Sequence, residues 1–66
     1  MKQEITPKQL EILQFISEGL NSEEIAVKLG NSKKTIDNMR NTLLLRVQAK
    51  NVAHLVTIGF RKGWLQ

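Results

Sequence analysis

Asn38, Asn41 and Thr42, with Asp37 beside them, are the side chains of this sequence least easily read as surface filling. They fall within one run, residues 33–47, that also carries Lys33, Lys34, Arg40 and Arg46. On a helix such a set has a definite chemistry. An asparagine carboxamide can pair with adenine N6 and N7, a threonine can meet a thymine methyl, and a carboxylate can accept from cytosine N4. Cations around them can neutralise phosphates, and the hydroxyls of Ser32 and Thr35 can add bonds to the same backbone. Any exposed helix face is polar, so polarity alone says little. Asn and Thr, however, are poor interior helix formers, and Asn38, Asn41 and Thr42 together imply a demand other than helix stability. The sequence therefore assigns Asn38, Asn41, Asp37 and Thr42 to base edges. It assigns Ser32, Lys33, Lys34, Thr35, Arg40 and Arg46 to phosphates.

Other chemistries find little to build on. The sequence has no Cys and no Tyr and a single histidine, His54, so neither a thiolate metal site nor a disulfide framework is expected. A nucleophile–base pair and a phosphate-cradling glycine loop are also missing, so no catalytic residue, metal or other cofactor is expected. Glu23 and Glu24 could suggest paired acids, but adjacent helical residues point about 100° apart. They are better placed to complement the positive end of a helix dipole.

Four helices position these groups. Thr6-Pro7-Lys8-Gln9 is a strong helix start: Thr6 can cap, Pro7 suits the first helical position, and Gln9 can close a capping box. Leu10, Leu13 and Ile16, widened by Ile12 and Phe15, give a first helix over roughly residues 7–18, ended by Gly19. Leu20 can pack back into the core, and residues 1–5 read as a short arm without defined structure. Asn21 and Glu24 form a second capping box for a helix over roughly 22–29, with Ile25, Ala26 and Leu29 as its apolar stripe. Gly30 follows where a left-handed backbone is needed. Ser32 then caps a third helix over 33–47. With Ile36 at zero on a wheel of about 100° per residue, Leu43 and Val47 lie within about 20° and Met39 within about 60°. Lys34, Asn38, Asn41 and Leu45 occupy the opposite side. Thr35 and Thr42 lie on one flank and Asp37 on the other.

Residues 48–50 connect to a fourth helix over roughly 52–62, capped by Asn51 and stopped by Gly63, after which Trp64 can fold back. Arg61 and Lys62 suit its negative end. Its apolar residues lie on more than one side, more than one small core can bury. A second copy packing on Val52, Leu55, Val56, Gly59 and Phe60 is the expected solution. Two helices joined by a glycine-containing turn describe a helix-turn-helix, whose second helix commonly enters the DNA major groove.

Length and charge agree. Sixty-six residues make one domain with a small core. The net charge of +4 is unevenly placed: residues 1–27 hold two lysines against five glutamates, whereas residues 28–66 hold eight Lys or Arg against Asp37 alone. A basic half joined to a helix-turn-helix is the electrostatic footprint for a polyanion. No apolar run is long enough to span a bilayer and no signal-peptide pattern opens the chain, so a cytoplasmic protein without membrane association is the default.

With these residues in place, the chain resembles the LuxR-type (GerE, FixJ, NarL) DNA-binding domain without gaps from Ile5 to Leu65. The matching residues are Ile5-Thr6-Pro7, Glu11-Ile12-Leu13, Glu18-Gly19-Leu20, Glu24-Ile25-Ala26, Leu29, Ser32, Lys34-Thr35-Ile36, Arg40, Asn51, Val56 and Arg61-Lys62-Gly63. Each is a weak signal alone; the order and spacing together are specific. The resemblance implies an all-α bundle of four helices whose third helix reads the major groove and whose fourth forms a two-fold dimer on DNA. It implies double-stranded DNA as partner, a homodimer that is weak without DNA, RNA polymerase as a further candidate partner, and no small-molecule ligand.

The chain also departs from the family pattern. Asp37 stands where the family usually has a basic residue, and Met39 where it often has histidine. Val52 stands where Arg is common, and Arg46-Val47-Gln48-Ala49 replaces a Lys-Leu-Gly-Val run. Met1 lies five residues before the first cap, as in the free-standing GerE-like form. Region 4 of sigma factors shares the pattern from Glu24 to Ile36 but does not require a fourth apolar helix ending in Arg-Lys-Gly. A small anti-activator that pairs with a related regulator through helix 4 would need no DNA binding at all.

Overall fold

The computed structural model describes residues 5–66. Its helices are α1 (Pro7–Ser17), α2 (Ser22–Leu29), α3 (Lys33–Val47) and α4 (Val52–Arg61). No strand occurs among the described residues. The expected all-α, four-helix architecture is the one observed, with α1 and α4 each closing one residue earlier than expected. Of the expected arm, residues 1–4 lie outside the described residues, while Ile5 belongs to the core at 3% exposure.

Each helix starts on a side-chain cap, as its sequence requires. Thr6 Oγ1 accepts from the Gln9 amide at 3.1 Å, and Gln9 Oε1 accepts from the Thr6 amide at 2.9 Å. Asn21 and Glu24 exchange the same pair of bonds at 2.9 and 2.8 Å. Ser32 Oγ accepts from the Thr35 amide at 3.1 Å, and Asn51 Oδ1 from the His54 amide at 2.8 Å. Two reciprocal boxes and two single caps satisfy amides that would otherwise be orphaned, typically contributing about 1 kcal/mol each. His54 has a local task too: its Nδ1 accepts from the Lys50 amide at 3.0 Å, just ahead of α4.

The core forms where the apolar stripes meet. Ile12, Leu13 and Ile16 of α1, Ile25 and Ala26 of α2, Ile36 and Leu43 of α3 and Leu55 of α4 are buried, together with Ile5 and Leu65. Met39 and Val47, the outer members of the α3 stripe, pack against it half-buried. α2 packs chiefly on α3, and α4 lies against both α1 and α3. α3 is thus held along one side by three helices, and the side bearing Asn38 and Asn41 faces outward.

The turns use the left-handed backbone twice in informative ways. Gly30 closes α2 at φ 68°, where a Cβ would be strained. Gln48 closes α3 at φ 59° and is the one non-glycine residue with positive φ among the described residues. Its backbone reproduces the glycine geometry, and the Ala49 amide bonds back to the Leu44 carbonyl at 2.9 Å.

Candidate nucleic-acid interface

The outward side of α3 is the candidate site. Ser32, Lys33, Lys34 and Thr35 are exposed around its N-terminus, and Asn38, Asn41, Thr42, Leu45 and Arg46 are exposed along it. The side chains of Asn38, Asn41 and Thr42 take part in no hydrogen bond among the described residues. The fold therefore brings together the three uncharged side chains that the sequence assigns to base edges, and it leaves their polar groups uncommitted. The Ser32 hydroxyl donates to Thr35 Oγ1 at 2.9 Å, so both hydroxyls sit together at the entry to the helix.

The charged members of the set lie differently. Arg40 is half-buried, and its Nη1 donates to Ser22 Oγ on α2 at 2.7 Å. Ser22 is buried at 4% exposure, and its hydroxyl lies beside the Asp37 carboxylate. Asp37 further accepts from Lys33 Nζ at 2.9 Å. Asp37 is thereby held below its ordinary carboxyl value, first by the Ser22 hydroxyl and then by Lys33. Lys33 is raised by the same hydrogen bond and by the charge of Asp37. Arg40, expected at phosphate, and Asp37, expected at cytosine, are both half-buried, and Arg40 reaches toward the first turn of α2 through one guanidinium nitrogen. The Arg40–Ser22 bond links the two helices of the helix-turn-helix. Ser22 is the contact residue that sequence reading missed; only its position one residue after the Asn21 cap could have marked it as inward-facing.

The expected dimer residues divide in the same way. Leu55 is fully buried in the chain's own core. Gly59 is buried too: a Cβ there would lie 2.8 Å from Leu65 Cδ1 and 3.1 Å from Leu13 Cδ2. Leu55 has no surface to offer a second copy, and Gly59 is covered because the turn at Gly63 brings Leu65 back across it. That turn is closed by bonds from the Trp64 and Leu65 amides to the Gly59 carbonyl at 2.9 and 3.1 Å. Val52 and Val56 are half-buried and Phe60 is 52% exposed, so these three are the interface candidates that retain surface.

No group of three or more His, Cys, Asp or Glu among the described residues could hold a metal ion. No helix among them is long and apolar enough to cross a membrane.

Comparison with known proteins agrees with this geometry. Residues 3–58 match the GerE family, described as bacterial regulatory proteins of the luxR family. The transcriptional regulatory protein DesR of Bacillus subtilis (strain 168) is 29% identical over 62 residues, covering 94% of this chain and 31% of DesR. The transcriptional regulatory protein YdfI of the same organism is 32% identical over 62 residues, covering 94% of this chain and 29% of YdfI. The chain thus spans about a third of the length of these curated relatives. No solved structure is matched. By its helices, the residues they carry and the extent of the match, this chain belongs to the LuxR family of bacterial regulatory proteins.

Proposed function

We propose that the chain is a sequence-specific, double-stranded-DNA-binding regulator of transcription that places α3 in the major groove. The observation that carries this reading is the outward side of α3, where Asn38, Asn41 and Thr42 are exposed and uncommitted between cations. A groove about 12 Å wide accepts one helix, and bases are read there by such carboxamides and hydroxyls. Lys33, Lys34 and Arg46, with Ser32 and Thr35 at the helix start, serve the phosphates. Two copies pair through Val52, Val56 and Phe60 of α4 so that two recognition helices meet two half-sites. The names of DesR and YdfI as transcriptional regulatory proteins support the same reading. A sigma-like module would use α2 and α3 alone and leaves the capped, amphipathic α4 without a purpose.

A salt titration of variants tests it. Asn41→Ala should cost about 1–3 kcal/mol on a duplex selected from a random pool and much less on random duplex, because a lost base contact matters only where the base is right. Lys34→Ala should weaken both duplexes similarly and reduce the slope of log K against log salt by about one, since one fewer counterion is released. Unchanged preference of Asn41→Ala for the selected duplex would remove this face from base reading.

A further inference from the structure

We propose that the half-site this chain prefers is rich in A·T pairs, with Leu45 packing on a thymine methyl beside adenines held by Asn38 and Asn41. The inference rests on the DNA-binding reading above and deepens it by naming the base composition that fits the α3 face.

Recognition of G·C pairs in the major groove calls for an arginine or lysine at guanine O6 and N7, or a carboxylate at cytosine N4. The residues of α3 able to do this are mostly drawn away from the groove side. Arg40 is bonded to Ser22 at 2.7 Å, and Asp37 is bonded to Lys33 at 2.9 Å. Arg46 is exposed on the flank of the helix, about 80° from the Ile36 line, where it is assigned to phosphate. Lys34 alone is a cation on the outer side, and it sits at the helix start, where a long ammonium arm reaches backbone phosphate.

What remains outward is a stripe of four residues: Asn38, Asn41, Thr42 and Leu45. All lie within about 60° of the line opposite Ile36, and Leu45 lies on that line. From Asn38 to Leu45 the stripe runs about 10.5 Å, at about 1.5 Å per residue. That is about three base-pair steps at about 3.4 Å each. Leu45 is 79% exposed, an apolar side chain at the outermost line of an otherwise polar face. On the floor of the major groove the thymine C5-methyl is the one apolar group for it to meet. Over a G·C pair the same leucine would strip water from O6, N7 or N4 and return no hydrogen bond, which is unfavourable. Asn38 and Asn41 suit the adenines of the same run, and Thr42 can supply a second methyl contact.

The experiment selects bound sites from a randomised duplex pool and then replaces thymine by deoxyuridine, one position at a time, in the selected duplex. Deoxyuridine lacks only the methyl group. The selected half-sites should be enriched in A·T pairs, and at one or more positions uracil should weaken binding about four-fold, the value of one buried methyl. Leu45→Ala should bind the thymine and uracil duplexes at that position equally. G·C-rich half-sites, indifference of the unsubstituted chain to uracil at every position, or a Leu45→Ala variant that still discriminates would each overturn the inference and leave DNA binding standing. Failure to retain any duplex from the pool would overturn the DNA-binding reading itself.

Discussion

Arg40, Ser22, Asp37 and Lys33 form a chain of polar contacts across the angle between α2 and α3, and its end members differ in worth. Lys33 and Asp37 have side chains 57% and 41% exposed, so their ion pair contributes little on its own and can open when DNA competes for Lys33. Arg40 and Ser22 are less exposed, and a bond from a charged donor to a buried hydroxyl is typically worth about 1.5–3 kcal/mol. Arg40→Ala should therefore destabilise the fold by about that amount. Ser22→Ala should lose most of the same energy, so that the double variant costs clearly less than the sum, as measured by urea denaturation. Simple additivity would show that the bond does not support the fold. Arg40→Ala should also change the salt slope of binding less than Lys34→Ala does, because its guanidinium is committed to α2. Asp37→Asn removes a negative charge beside the groove and should raise affinity for selected and random duplexes by similar factors; a gain confined to random duplex would return Asp37 to base discrimination. Because the folded carboxyl lies below its ordinary value of 3.8, its contribution is present above that value and is lost as pH falls through the lower one. Stability between pH 7 and about pH 5 should not register this group. The Lys33–Asp37 pair follows from its i,i+4 spacing, whereas the Arg40–Ser22 bond was not legible, since the two residues are 18 apart and neither spacing nor composition pairs them.

At the scale of the elements, the sequence carried most of the structure because its signals are local. Thr6 with Gln9, Asn21 with Glu24, Ser32 and Asn51 each cap the helix that their position predicts. The stripes on α1, α2 and α3 bury Leu13, Ile16, Ile25, Ala26, Ile36 and Leu43 as their periods select, with Leu10, Leu29, Met39 and Val47 packed half-buried at the margins. The misreadings lie where a chain end folds back over a helix. Ile5 is buried although it precedes the first cap, a position where a hydrophobic residue often staples the helix entry. Leu65 is buried over Gly59, which places that residue of α4 in the core. The turn after α3 offers the sharpest test. Gln48 holds φ 59°, a conformation that costs a residue with a Cβ about 1–2 kcal/mol and glycine almost nothing. Gln48→Gly should raise the stability of the fold, by about 0.5–1 kcal/mol after the extra entropy of a glycine in the unfolded chain is subtracted. The urea midpoint should move up at constant slope. A lower midpoint would mean that the Gln48 side chain contributes more than its backbone costs.

The whole molecule presents two unlike faces, and their separation sets how it should assemble. α3 offers polar and basic groups to a duplex, while α4 offers Val56 and the 52%-exposed Phe60, with exposed Ala53 beside them and half-buried Val52 at the helix start. Val56 and Phe60 are one turn apart, so they share a side that the inward-facing Leu55 and Gly59 leave outward. Three or four small contacts on a helix of ten residues cannot bury the area of a stable complex, about 1,200–2,000 Å² in total. Association in solution should therefore be weak. On DNA the cost of bringing two copies together is already met, since each is held at its own half-site, and a small apolar contact then adds affinity through effective concentration. Sedimentation with a duplex carrying two half-sites about one helical turn apart should show two chains per duplex, bound cooperatively. Phe60→Ser should abolish the cooperativity while leaving affinity for a single half-site unchanged, because Phe60 is exposed and distant in sequence from the base-reading face. A one-to-one complex at saturation would sink the two-fold arrangement. Equal loss on single and paired half-sites would mean instead that Phe60 supports the fold, and Val56→Ser, tested on the same two duplexes, would then decide whether α4 carries any contact between copies.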